Sequence, residues 1–422
     1  MDYLQLFEAA LGLTPPWKIE KVTFDPKAEG GGAVEIRLTF PRGAKFPCPG
    51  CQAPSSVHDT HEQRWRHLNF FQYRAYIVAP IPRTDCPEHG VKTFSGVSWA
   101  REGSGFTLLF EALVMLVARE MPVAALARMT GEHDTRLWRL IQAHVEDARE
   151  RVDMKDVREL VVDETSRARG HDYVSLFVEP GKEEARVLFV ADGRTHDTFK
   201  TFCSDLRAHG GEPGKIRDVC MDMSEAFQKG AAENLPGAKV TFDRFHVMKL
   251  VGEAVDEVRR LERAEQPALK GTRYTWLKNP GDLTGSQFAG LIRLSELNLK
   301  TTKAYQMRLN VQEAWTRRDA ATARRLLKEW CGWVARAARP AKGTVRSGLE
   351  PMARVARTIR EHLRGILNYF RRRLTSGVIE GINSMAQAAR ARARGYRSAE
   401  TFKAMIYLIA GRLQFNLPSL TS

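Results

Sequence analysis

Two hydrophobic runs in this chain close on carboxylates. Leu160-Val-Val-Asp163 and Val219-Cys-Met-Asp222 each read as a buried strand with an acid at its end. An unpaired buried charge costs several kcal/mol, so acids avoid such places unless something answers them. Two further strands and a helix lie between the runs, enough chain to return the second beside the first. Two carboxylates at neighbouring strand ends would repel unless a cation sat between them, and an all-oxygen donor set suits Mg2+. Two such ions roughly 3.5 to 4 Å apart can activate a water or a 3′-hydroxyl and stabilise the leaving oxygen at phosphorus. A third acid is needed, and Thr375-Ser-Gly-Val-Ile-Glu380-Gly-Ile-Asn383-Ser-Met-Ala-Gln387 supplies it. On a helix, Glu380, Asn383, Ser384 and Gln387 share a polar face, while Ile379, Ile382 and Ala386 share an apolar one.

A second constellation stands near the start. Cys48-Pro-Gly-Cys51 and Cys86-Pro-Glu-His89 are two knuckles, each beside residues that suit a tight turn. Together Cys48, Cys51, Cys86 and His89 make a closed Cys3His set, the pattern of structural Zn2+. Four protein ligands leave no open position, so this metal would stabilise a small module. His58, His61 and His67 lie between the knuckles without partners at knuckle spacing. Cys203, Cys220 and Cys331 sit in apolar surroundings and read as reduced core thiols.

The elements that must position these groups follow from periodicity. Residues 1–100 hold Pro, Gly and short alternating segments, Ala33–Phe40 and Gln72–Val78, expected as strands of a β-rich zinc module. Residues 101–155 read as a helix-turn-helix: Pro122 opens one helix, Gly131 stops it, and a second runs from about Asp134 to Arg149. Arg136, Arg139 and His144 are expected on its outer face, available to DNA. Strands dominate 156–250, with one helix near Thr198 to His209. Residues 251–370 are expected to be helical, and 371–422 to be helices completing the core. The whole predicts a multidomain α+β fold.

The 422 residues carry a formal net charge of +15, which points to a polyanionic partner, most often nucleic acid. The longest apolar run, Phe106 to Ala118, is interrupted by Glu111 and too short to span a bilayer. No leader pattern stands at Met1-Asp-Tyr-Leu, so a soluble intracellular chain without membrane partners is expected. Arg64 and Arg66 surround the knuckles, and Arg390, Arg392, Arg394 and Arg397 follow Glu380 directly. Alternate arginines at a helix end could grip phosphates near the acids.

With these features in place, the chain resembles the DDE transposases of bacterial insertion sequences. It is most similar to the subgroup with an N-terminal zinc finger, a helix-turn-helix and a helical insertion before the last acid. The resemblance is carried in order by VVDETS, VLFVADGR, IRDVCMDMSEAF, VTFDRFHVMKL, AVDEVRR and GVIEGINS, then ARARGYRSAETF. It implies a ribonuclease-H-like core interrupted by an all-α insertion, with Asp163, Asp222 and Glu380 as a triad for two Mg2+ or Mn2+. Asp243 and His246 resemble a DxxH signature, and with Asn383 they are expected to support that site. One departure stands out: where the family pattern has Asn four residues before the glutamate, this chain has Ser376. The implied activity is binding of the element's terminal inverted repeats, strand cleavage and strand transfer into target DNA. The implied assembly is a dimer or larger, in the bacterial cytoplasm at the nucleoid. A non-catalytic zinc-finger regulator and a structure-selective nuclease of the junction-resolvase kind are the alternatives.

Overall fold

The alternation of Val34, Ile36 and Leu38 with half-exposed neighbours buries one face of a strand, and around it the first of two units assembles. The computed structural model describes residues 3–420 except 29–30, 169, 171, 182–183, 341 and 343–345. One unit comprises Met1–Glu150, Ala391–Ile409 and Leu413–Ser422; the other comprises Arg151–Arg390 and Ala410–Arg412.

In the first unit, α1 (Tyr3–Leu11) precedes β1 (Lys18–Asp25), β2 (Ala33–Thr39), β3 (Lys45–Pro47), β4 (Pro54–Phe70), β5 (Tyr73–Cys86) and β6 (Gly90–Thr93). They form a sheet of order β1-β2-β5-β4-β3, with β6 on β5. Its core gathers Trp17, Phe46, Trp65 and Trp99. Three helices follow, α2 (Leu108–Val117), α3 (Val123–Thr130) and α4 (Asp134–Glu150). Gly131 ends α3 with φ 70°, and a Cβ there would collide with the Arg74 guanidinium, so both backbone and packing require glycine.

Two expectations are corrected in this unit, those for Arg66 and His144. The strand β4 is 17 residues long, though its polar, charged sequence gives little period-two signal. It turns Trp65 and Arg66 inward, so neither is an exposed nucleic-acid contact. Arg66 instead donates to the carbonyls of Ala75 and Thr130, each at 3.3 Å, and sits 3.5 Å from Glu132 Oε1. His144 is likewise buried, 2.7 Å from Glu111 Oε2, while the other oxygen, Oε1, accepts from Ser104. Burial alone would raise the Glu111 carboxyl, but those bonds hold it below its ordinary value.

The second unit begins with β7 (Glu159–Ala168), β8 (Asp172–Glu179) and β9 (Arg186–Asp192), an antiparallel meander. After α5 (Asp197–Ala208) come β10 (Asp218–Met221), α6 (Glu225–Asn234) and β11 (Lys239–Phe242). The sheet order is β11-β10-β7-β8-β9, with β10 parallel to both β7 and β11. The helix α6 went unpredicted, because Ser224 capping and a single Phe227 anchor are weak signals. A long α7 (Arg244–Glu262) leads into α8 (Arg273–Leu277), α9 (Gly285–Ser295), α10 (Lys300–Glu313), α11 (Ala320–Ala337), α12 (Glu350–Glu361) and α13 (Leu363–Arg372). One continuous apolar core joins the sheet to these helices, from Met154 to Phe370. The chain then enters α14 (Gly377–Ala393) and α15 (Ala399–Ala410). The stretch 371–422, expected to complete the core throughout, divides: Ala391–Ile409 clusters with the first unit. No helix among the described residues is long and apolar enough to cross a membrane.

Arg66→Ala would leave Glu132, whose side chain is 6% exposed, without its buried partner. Removing one member of such a pair is expected to cost about 3–5 kcal/mol. Arg64→Ala, which removes only an exposed stack on Tyr76, is expected to cost less than about 1 kcal/mol. Urea titration of the two variants followed by tryptophan fluorescence checks the contrast.

Candidate functional site

Strand register brings the acids to one level. Cys220 pairs with Val161 and Met221 with Phe242. Counting on by two residues along β7 and by one past β11 sets Asp222 between Asp163 and Asp243, where β10 and β11 end; Asp163, expected at a strand end, instead stands within β7, which continues to Ala168. Asp218 stands at the opposite end of β10, its Oδ2 3.4 Å from Arg372 Nε.

Each acid is held differently. Asp243 is fully buried and caps α7, accepting from the backbone N–H of Phe245 (2.8 Å) and His246 (3.2 Å). It also accepts from Ser376 N at 3.2 Å. Burial would raise its carboxyl, yet His246 and Ser376 together hold it below the ordinary value. His246 Nδ1 lies 3.5 Å from Asp243 Oδ2 but is misaligned for a hydrogen bond, so this coupling is one of charge. Asp243 first, then Asp163 and Asp222, raise the imidazole against the opposing effect of burial. Its Nε2 is 4.0 Å from Asp163 Oδ1.

Asp163 is half-buried and is pushed up to about 6, chiefly by burial, with the Asp222 charge adding and the Glu164 N–H and His246 opposing. Asp222 accepts from Ser224 N at 2.9 Å. Glu380 lies exposed on the first turn of α14 and accepts from Ser376 Oγ at 3.0 Å. Further along that helix, Asn383 Nδ2 donates to Asp163 Oδ2 at 2.8 Å, and Gln387 Nε2 donates to Thr165 Oγ1 at 2.7 Å. Arg390 donates to Ser166 O at 3.0 Å. The polar face of α14 thus runs along β7, while Ile379, Ile382 and Ala386 are buried.

Among the described residues, the three acids do not form a group with ligand oxygens all within 4.8 Å of one another. Asp222 is near enough for its charge to raise the Asp163 carboxyl, while on the Glu380 helix it is Asn383 that bonds to Asp163. The donor set is nevertheless right for a hard divalent cation. Asn383 Oδ1 is a buried acceptor with no partner beside Asp163, an orphan that a cation or its water would satisfy.

The sulfur site is more tightly assembled. One ligand atom each from Cys48, Cys51, Cys86 and His89 lies within 4.8 Å of all the others. Cys86 Sγ is 3.7 Å from both Cys51 Sγ and His89 Nδ1. The β3–β4 turn supplies one knuckle and the β5–β6 turn the other. Gly50 lies so close to the His89 ring that a Cβ there would meet it at 2.8 Å. His89 first, with the backbone around it, lowers the Cys86 thiol to about 6, which favours the metal-binding thiolate. His67, by contrast, is bonded to Thr107 and lowered to about 4 by burial and Arg66.

Comparison with known proteins covers the regions that hold both sites. An ISL3-type DDE transposase profile matches residues 160–406. The chain belongs to this transposase family. A profile for the helix-turn-helix domain of transposase family ISL3 matches residues 97–145, and one for the zinc-finger of transposase IS204/IS1001/IS1096/IS1165 matches 44–89. The chain is 27% identical to the transposase for insertion sequence element IS1001 of Bordetella parapertussis over 407 residues, 93% of this chain and 95% of the relative. It is 26% identical to the transposase for IS1557 of Mycobacterium tuberculosis over 456 residues, 99% and 98% of the two chains. The zinc-finger match and the Cys3His cluster together support zinc in this transposase.

The expected DNA contacts scatter. Arg139 and Arg397 are exposed and line a cavity of about 460 Å3 with Trp138 and Tyr396. Arg136 is exposed but stacks on Phe106 at 4.4 Å and pairs with Glu132. Arg392 donates to Glu120 O, and Arg394 is an exposed left-handed residue, φ 58°. Sequence reasoning noticed Ser376 only as a departure. Its place four residues before Glu380 was the signal that it holds that acid.

Two outcomes test these sites. In EDTA, an unfolded Asp163 ionises near 3.8 and the folded one near about 6, so the wild type loses stability as pH rises through that window. Asp163→Asn should therefore raise the melting temperature above pH ~6 and give no gain below pH ~4. Elemental analysis should find about one zinc per chain, lost in Cys86→Ser together with the zinc module's structure.

Proposed function

We propose that Asp163, Asp222 and Glu380 are the metal-binding triad that cuts and joins DNA, with two Mg2+ or Mn2+ ions as cofactors. The observation that carries this is the register that levels Asp222 with Asp163 on parallel strands, with Asn383 of the Glu380 helix bonded to Asp163. The strand order β11-β10-β7-β8-β9, three antiparallel strands followed by two parallel ones, supports reading the sheet as a ribonuclease-H-like core. The helical stretch 251–370 would be its insertion. When bound, the ions supply Lewis acidity at phosphorus and lower the pKa of water.

The chain's own groups do the rest. Asp163 and Asp222 are set by their strands. Ser376 ties Glu380 to the Asp243 cap and takes the place of the family's asparagine there. His246, whose imidazole the surrounding acids raise, lies beside Asp163 and would support the site. In cleavage, water attacks phosphorus and the 3′ oxygen leaves. In joining, the freed 3′-hydroxyl attacks a target phosphodiester and the target's own 3′ oxygen leaves. Helix α4, with Arg136 and Arg139, would read the terminal inverted repeats, and the zinc module with Arg64 would assist. Arg390, Arg392, Arg394 and Arg397 would contact the cleaved strand. Two ends must be held at once, so a dimer or larger assembly is part of the proposal.

Asp222→Ala should abolish Mg2+-dependent cleavage of a duplex bearing an element end while leaving its gel-shift unchanged; persistent cleavage would remove the triad. Formation of joined product by the wild type separates this reading from a nuclease, which would only cut. Ser376→Ala should lower cleavage by about tenfold, one lost bond to a charged group, and Ser376→Asn should restore it.

A further inference from the structure

The turn between β4 and β5 holds a residue that neither the zinc site nor the acids use. Phe70 pairs with Tyr73, so Phe71 and Gln72 form a two-residue hairpin loop. Such loops favour Gly or Asn where the backbone turns left-handed. Here that position is Phe71, with φ 53°. A bulky side chain is disfavoured in that region, and strain of this kind gathers at sites of function. Phe71 is also 80% exposed, more than any other large hydrophobic among the described residues. Its ring meets Phe70 edge-on, 4.7 Å between centroids, and Phe70 lies 5.6 Å from Phe7. The turn gives up both backbone ease and burial to hold a phenyl ring in solvent.

The tip is fastened beside the helix-turn-helix. From β4, the buried Arg66 donates to Asn69 Oδ1 and, at 3.3 Å, to the Thr130 carbonyl at the end of α3. From β5, the Arg74 guanidinium lies against Gly131, where α3 turns toward α4. Both strands of the hairpin therefore touch the α3–α4 turn. The hairpin's charge is of one sign: from Gln63 to Thr84 it holds four arginines and no Asp or Glu. Arg66 and Arg83 are answered by Glu132 and Asp59, while among the described residues no ion pair takes up Arg64 or Arg74. Asn69 and Gln72 flank the two phenyl rings. Basic and amide side chains around an apolar wedge suit the minor groove of DNA, where such wedges enter between base steps. A second copy of this chain, net charge +15, would bring like charge to the tip.

We propose that the Phe71 tip is a minor-groove wedge, entering a base step beside the DNA site of α4 and kinking the duplex there. Gln72 and the Asn69 amide group would meet base edges, and Arg64 and Arg74 the neighbouring phosphates. This rests on the reading of α4 as the helix that binds the terminal repeats, and it adds a residue that shapes the bound end.

The test uses the full chain and a duplex bearing an element end, with donor and acceptor dyes at its two termini. Binding of the wild type should raise energy transfer, because a wedge kinks the duplex by about 20–90°. Phe71→Asn suits the left-handed turn, so it should melt at or above the wild-type temperature. It should nevertheless weaken the gel-shift about tenfold and lose the rise in transfer. Phe71→Met, which keeps an apolar wedge, should retain much of the bend. The wedge is overturned if the wild type binds the end without raising transfer, or if Phe71→Asn binds and bends as the wild type does. It is overturned equally if Phe71→Asn melts well below the wild type, which makes Phe71 a structural turn residue. Sedimentation of the DNA-free chain covers the other occupant: an assembly lost in Phe71→Asn while the bend persists places a second copy on the tip and removes the wedge. A wild type that binds no element end removes the α4 reading and the wedge with it.

Discussion

Carboxylates brought to one level on neighbouring strands repel one another, and the second unit is arranged around that repulsion. Asp243 is relieved by the α7 N-terminus and by Ser376. Asp163 is relieved in part, by Asn383 on one oxygen and His246 near the other. Burial still pushes its carboxyl up to about 6, which marks a charge with too little compensation in the protein alone. The graded satisfaction of neighbouring acids separates a structural cap from the pair proposed to hold a cation.

The helix α14 is the other half of this arrangement. Its polar residues recur at helical spacing and meet β7 in succession, Asn383 at Asp163, Gln387 at Thr165 and Arg390 at Ser166. Such a ladder fixes the rotation of the helix and therefore the side on which Glu380 stands. The α7 cap and Ser376 fix its start. Glu380 itself stays exposed, on a helix whose orientation is already set.

Much of this was legible in the sequence because short-range patterns carried it. The knuckle spacings gave the Cys3His set, the run before Asp163 gave a strand, though not its end, which lies at Ala168, and the i, i+3 and i+7 positions from Glu380 gave the polar face. What was not legible depended on partners far along the chain. Arg66 and His144 read as surface cations, but Glu132 and Glu111 bury them, and no local pattern announces an ion pair between distant elements. The β4 strand is charged along much of its length, so pairing with β5 and not hydrophobic alternation makes it a strand. The division of the C-terminal stretch at Arg390 is equally non-local, since the helix α14 runs through it without a break in pattern.

The account turns on whether Asp163 and Asp222 share a cation. Crystals grown with Mn2+ and the DNA end, measured at the manganese absorption edge, would show it most directly. The account requires an anomalous peak at coordination distance, about 2.0–2.3 Å, from a carboxylate oxygen of both Asp163 and Asp222, with Glu380 turned toward the ions. Manganese absent from these acids, or bound at Asp218 instead, would contradict it.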